Sequence, residues 1–192
     1  MEQYEGLDLM TFTETAALEA WLESHHADRP GIWLRIAKKG KGGTSLTNPE
    51  ILDCMLCFGW IDGQRKGGDG TYYFQKYTPR RSRSLWSQVN VRKVAVLTES
   101  GRMREPGLAE VRAAQADGRW EAAYPSQAEA TVPDDLAAAL ASDEAARAGY
   151  EALGKTDRYL IIMRLWQART EKGRAQRLER TIAKLAAGEK VR

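Results

Sequence analysis

Apolar positions recur along this chain in two rhythms, and the switches between them outline the fold. Leu18, Trp21, Leu22 and His25 stand at helical spacing, which predicts a helix capped by Thr13 or Thr15, after a short strand over residues 9–12. Ile32, Leu34 and Ile36 then alternate with Trp33, Arg35 and Ala37, the period of a strand. Asn48-Pro49-Glu50 reads as a helix start: a capping side chain, a proline with φ preset, and an acid near the positive end of the dipole. Ile51, Met55 and Phe58 share that helix's inner face, Leu52 and Leu56 flank it, and Gly59 ends it. Trp60–Arg65 and Thr71–Tyr77 read as strands joined by Gly67, Gly68, Asp69 and Gly70. A helix capped by Ser82 or Ser84 follows, with Trp86, Val89 or Asn90, Val94 and Leu97 inward. Another spans 106–117 and stops at Gly118.

From 121 to 132 the period disappears, and the segment reads as a linker. Beyond it only helical patterns remain: 133–141, one opened by Ser142-Asp143-Glu144, one opened by Thr156 or Asp157, and one over 171–187 with Leu178, Ile182 and Leu185 inward. The fold class expected is α+β. A small antiparallel sheet packed with helices occupies residues 1–120, and an all-helical region occupies 133–192.

Composition adds little and charge adds more. At 192 residues and 43% hydrophobic, the chain can bury a core without a metal or disulfide staple. The acidic start MEQYEGLDLM is unlike a secretory leader, and no run approaches the roughly 18 apolar residues of a membrane span. The expectation is a cytoplasmic protein with no membrane insertion. Charge is segmented: residues 76–104 hold eight basic residues and one acid, 105–151 three and ten, and 155–192 eleven and four. Such blocks bind anions or nucleic acid, or pair with each other across the fold; the second reading is favoured.

Several motifs carry no chemistry. Cys54 and Cys57 have C-x-x-C spacing but fall late in a buried helix, away from the end whose dipole activates thiols, and are read as core. His25 and His26 are adjacent, without the i, i+4 spacing of a metal pair, and read as helix-end residues. The loop KKGKGGTSLT lacks the G-x-x-x-x-G-K-[ST] spacing of a phosphate loop and reads as a flexible basic loop. No cofactor, metal ligand or catalytic group is assigned.

The candidate site lies between Cys57 and Trp86. Asp62 follows Trp60 in a strand, where a carboxylate needs a partner; Arg80 and Arg81 are the candidates, in a structural ion pair. The alternative is a pocket in which Asp62, Gln64, Tyr73 and Gln75 meet a ligand beside Arg80 and Arg81, with Trp60 and Trp86 as walls. The arginines lead into a helix start, which favours an anion, yet they oppose its dipole unless a carboxylate answers them.

The runs CFGWIDGQRK, YFQKYTPRRSRSLWSQVN and ESGRMREPGLAEV, and in the tail VPDDLAAAL, YEALGKTDRYLII and RAQRLERTIAKLAAGE, resemble the YdeI/OmpD-associated, or bacteriocin-protection, proteins. Where that family carries a Thr-Arg pair near the last helix, this chain has Gly173-Arg174. The resemblance implies a small bacterial protein linked to envelope or antimicrobial stress, with a protein partner in that response and no established reaction. It also implies a fold like the small YdhG-type domains, some of which are described as iron chaperones. The reading adopted is a non-enzymatic binding or stress-protection protein with a small anionic ligand at the eight residues above. Against it stand an enzyme using Asp62 as base, nucleic-acid binding through the basic blocks (disfavoured, for want of a recognised motif), and an iron chaperone.

Overall fold

The computed structural model describes residues 2–168 and 170–191. The chain divides into two compact units, Met1–Ala123 and Tyr124–Arg192. The first is α+β: strands β1 (Gln3–Tyr4), β2 (Leu7–Met10), β3 (Ile32–Ala37), β4 (Trp60–Gly67) and β5 (Tyr72–Pro79), with helices α1 (Thr15–His25), α2 (Asn48–Cys57), α3 (Gln88–Glu99) and α4 (Glu105–Ala116). Among the described residues the second unit is helical: α5 (Asp134–Ser142), α6 (Glu144–Glu151), α7 (Lys155–Trp166) and α8 (Glu171–Ala186).

The strands form one sheet in the order β1-β2-β3-β5-β4. It is mixed, because the α1 crossover returns β3 parallel to β2, while the other neighbours are antiparallel. Ile32, Leu34 and Ile36 face the helices and join Leu18, Leu22, Ile51, Met55 and Val94 in the core. α2 is buried almost all round and packs on α1, α3, α4 and β4, which explains its lack of a polar face. Gly107 of α4 makes this packing close: a Cβ there would lie 2.3 Å from the Cys57 carbonyl oxygen.

The sheet's second face is closed as well, which the alternation of β3 did not foretell. Glu5 and Gly6 both have positive φ (49° and 76°), the geometry of a two-residue turn that suits hairpin twist. The hairpin carries Tyr4 against Trp33 and Phe74. Glu2 pairs with Arg35, and Glu5 with Lys66. Trp33 is fully buried as a result.

Helix starts of the first unit differ from expectation at α1, α2 and α3. α1 begins after Glu14 without a side-chain cap. At α2 the cap is Thr47, in a reciprocal capping box with Glu50; Asn48 is already in the helix, and its Oδ1 accepts from the Tyr77 hydroxyl at 2.7 Å. At α3 the cap is Ser87, so Trp86 precedes the helix rather than riding on it.

In the second unit Leu136, Leu140, Tyr150, Ile161, Leu165 and Leu185 form a separate core. α6 meets α8 at Gly149, where a Cβ would stand 2.4 Å from the Leu185 carbonyl oxygen. Arg174 of α8 forks onto Asp135 of α5 at 2.6 and 2.9 Å and donates to Leu165 O at 2.9 Å. One guanidinium thus ties three helices.

Basic residues of 76–104 pair with acids of the first two helices: Lys93 with Asp53, Arg102 with Glu19, Arg104 with Glu23. In the C-terminal block Arg174–Asp135 draws on the acidic segment. Arg169 and Arg192, counted in that block, lie outside the described residues.

Candidate functional site

The stretch from Trp60 to Trp86 is a hairpin fastened to its helices. Gly59, at φ 75°, turns the chain out of α2 into β4. Trp60 is fully buried, edge-on to Trp21, and its indole N–H donates to His26 O at 3.1 Å. The Arg80 backbone N–H donates to Gly59 O at 2.9 Å. Its guanidinium lies 3.5 Å above the Trp86 ring and donates to Leu85 O at 3.2 Å. Trp86 is in turn packed edge-on by Trp120. Stacking of a guanidinium on a buried indole is worth about 1–2 kcal/mol. Trp60, Arg80 and Trp86 therefore serve as packing.

Asp62 is exposed as a residue, yet protein crowds its carboxylate. That desolvation raises its pKa, opposed by its own backbone N–H and by the field of Arg80. The two observations pull apart, and the exposure limits how far burial can act. Gln64 is exposed. β4 carries a bulge between Asp62 and Arg65, where Gly63 and Gln64 stand against Lys76. Gln75, nearly buried, closes it by donating to Gly63 O at 3.0 Å. Carbonyls freed by a bulge need such a donor. Arg81 is exposed, and the Ser84 hydroxyl accepts from its backbone N–H at 3.1 Å.

Tyr73 belongs elsewhere. The Arg65 guanidinium sits 3.7 Å above its ring, and both line a cleft of about 540 Å³ with Ile36, Lys38, Lys39 and Asn48. The strand end holds this wall in place: Lys38 N–H donates to Thr71 O at 2.8 Å, and Ala37 N–H to the Ser45 hydroxyl at 2.9 Å. Glu50 turns back onto Thr47, whose hydrogen bonds lower its pKa, so it does not stand among the lining residues. Among the described residues, none of Lys38, Lys39 and Arg65 forms an ion pair with a carboxylate. Sequence reasoning found Tyr73 but not these cations. Lys38 and Lys39 were in view within the basic loop, and nothing in the sequence joined that loop to β4.

The cysteines are buried and free; burial pushes the Cys54 thiol up to about 12 and that of Cys57 to about 11. Neither is a thiolate near neutrality. Among the described residues no group of three or more His, Cys, Asp and Glu side chains is placed to hold a metal ion, and no helix is long and apolar enough to cross a membrane.

Comparison with known proteins divides the chain much as its two units do. Residues 10–110 match the family model of a domain of unknown function, DUF8412. Residues 129–188 match the model described as Bacteriocin-protection, YdeI or OmpD-Associated. The expected family is thus found on the helical unit, whereas most of the hairpin runs that suggested it fall under the other model. No curated protein and no solved structure matches the chain.

Proposed function

We propose that this chain, which belongs to the DUF8412 family and carries a bacteriocin-protection, YdeI or OmpD-associated domain in its second unit, is a non-enzymatic stress-protection protein that works by binding a small anion. The cleft around Tyr73 supports this reading. It offers Lys38, Lys39 and Arg65 over an apolar floor that includes Ile36 and Pro49, the composition of a pocket for a small molecule with an anionic end and an apolar body. Arg80, whose guanidinium is stacked on Trp86, is passed over in favour of the open end of the same hairpin. A cytoplasmic location and a protein partner in envelope stress belong to the same proposal.

A thermal-shift screen with small aromatic and aliphatic carboxylates tests it. Binding raises the melting temperature of the wild-type protein and of Arg81→Ala, and not of Arg65→Ala or Lys39→Ala. Cells expressing Arg65→Ala lose the survival advantage under bacteriocin challenge that the wild-type protein confers. A screen that shifts nothing, or shifts all four proteins alike, overturns the reading.

A further inference from the structure

The helical unit holds a second concave surface, and its chemistry is sharper than that of the first. α8 is two-sided. Leu178, Ile182 and Leu185 pack into the unit's core, while Arg177, Arg180, Thr181 and Lys184, at helical spacings of three and four, line a cleft of about 410 Å³. Arg164 and Gln167 add to it from the last turn of α7 and the residue that caps it. The remaining wall is Val191: Gly188, with φ 66°, turns the chain past the end of α8, and Val191 is buried.

Three observations separate this cleft from an ordinary solvated helix face. The first is charge. It gathers four cations, and among the described residues none of Arg164, Arg177, Arg180 and Lys184 forms an ion pair with a carboxylate. Other cations of the unit are engaged: Arg174 with Asp135, Arg147 with Glu144, Arg158 with the Tyr150 and Glu151 carbonyls. Cations held together without counter-charge repel one another, and a multiply charged anion relieves that repulsion.

The second is Thr181. It is more than nine-tenths buried, yet its residue lines the cleft, and among the described residues its hydroxyl has no hydrogen-bond partner. A hydroxyl inside a helix ordinarily donates to the carbonyl four residues back. Thr98 does so to Val94 at 2.8 Å and Ser24 to Ala20 at 3.2 Å. Thr181 leaves the equivalent Arg177 carbonyl alone and keeps its donor available to a ligand.

The third is order. The Arg177 guanidinium donates to Arg164 O at 2.7 Å, so one of the cations is held in place before any ligand arrives. Guanidinium groups are suited to phosphate oxygens, which they meet with paired N–H donors. The Gln167 amide adds a neutral donor.

We propose that this cleft, formed by Arg164, Gln167, Arg177, Arg180, Thr181 and Lys184, binds a phosphate-bearing ligand of two or more negative charges. The volume exceeds what one orthophosphate needs, which favours a pyrophosphate or a phosphomonoester with part of its organic body enclosed. The proposal is independent of the cleft around Tyr73. The same chemistry could arrive as a soluble phosphoester or as a phospholipid headgroup, and the experiment separates these sources.

The full chain is titrated calorimetrically with sodium pyrophosphate at physiological ionic strength, and sedimented with vesicles containing phosphatidic acid, whose headgroup is a phosphomonoester, against phosphatidylcholine vesicles. Wild type binds pyrophosphate, and the double variant Arg180→Ala/Lys184→Ala does not. Both substituted residues are exposed, and unchanged melting of the ligand-free variant confirms that it folds. Thr181→Val keeps the side-chain shape, melts like wild type, and weakens pyrophosphate binding about tenfold, the loss of one hydrogen bond to a charged group. Arg65→Ala binds as wild type does. Binding of pyrophosphate without vesicle sedimentation identifies a soluble ligand. Sedimentation that needs Lys184 and Thr181 identifies a headgroup. The proposal is overturned by a wild type that binds neither probe, by binding that Thr181→Val leaves untouched, since a diffuse basic surface would behave so, or by loss of binding in Arg65→Ala.

Discussion

Tyr4 stands edge-on to Trp33, ring centroids 5.2 Å apart and planes at 90°. The contact joins the first strand to the middle of the sheet and explains how a tryptophan on the face away from the helices is fully buried. The same tyrosine meets Phe74 at 5.0 Å, so one side chain of β1 covers two large aromatics of the sheet. Tyr4→Ala opens it. Lost packing and lost edge-to-face contacts predict a destabilisation of about 2–3 kcal/mol by urea unfolding. Glu5→Ala breaks only the exposed tie to Lys66 and costs less than about 1 kcal/mol.

Gly107 and Gly63 make a matched pair of tests. A methyl at Gly107 meets the Cys57 carbonyl oxygen at 2.3 Å, and backbone cannot step aside there. At Gly63 the nearest atom is 3.7 Å away. Gly107→Ala is expected to cost about 1–3 kcal/mol or more by forcing α4 off α2. Gly63→Ala stays within about 0.5 kcal/mol. Thermal denaturation of the two variants side by side checks the contrast.

The Arg80 guanidinium on Trp86 depends on its flat shape. Lysine keeps the charge and loses the stack and the fixed donor to Leu85, so Arg80→Lys is expected to lose about 1–2 kcal/mol. Arg81→Ala, at an exposed position, changes stability by less than about 0.5 kcal/mol. Equal effects in a chemical melt would contradict the assignment of Arg80 to the packing.

Asp135 gives a pH signature. The hydrogen bonds and charge of Arg174 hold its carboxyl below the usual carboxylate range. A group whose folded pKa lies below its unfolded value adds stability above the unfolded pKa and loses it as pH falls through the folded one. The helical unit therefore weakens on acidification below about pH 4, measured by hydrogen exchange in α5 and α8. Asp135→Asn is less stable near neutrality by about 1 kcal/mol, once solvent screening of the half-exposed pair is allowed for. The gap to wild type closes as pH drops.

Element types were written in the chain more clearly than side-chain partners. Apolar period, read together with turn and capping residues, located β3, α2, the β4–β5 hairpin and the four helices of the second unit. β1 was illegible: two residues carry no period, and its purpose appears only when Tyr4 reaches Trp33, twenty-nine positions away. The same limit governed the candidate site. Trp60, Arg80 and Trp86 were recognisable as a group, but unusual residues gather equally where a hairpin must be fastened and where a ligand must be held. Lys38 and Arg65 meet at one cleft only through the pairing of β3, β5 and β4. Thr181 looked like any mid-helix threonine until its hydroxyl was seen without the usual carbonyl.

The bulge of β4 has a consequence beyond the placement of Gln75. β4 is the last strand of its sheet, and an outermost strand offers its free backbone groups as a template for another chain. Gly63 and Gln64 break the regular repeat of those groups, and Arg65 and Lys66 follow directly with positive charge. An incoming strand would find its register interrupted after three residues and like charge thereafter if it too were basic. A straightened β4, with one residue of the bulge deleted, would turn this guarded border into a site for self-assembly.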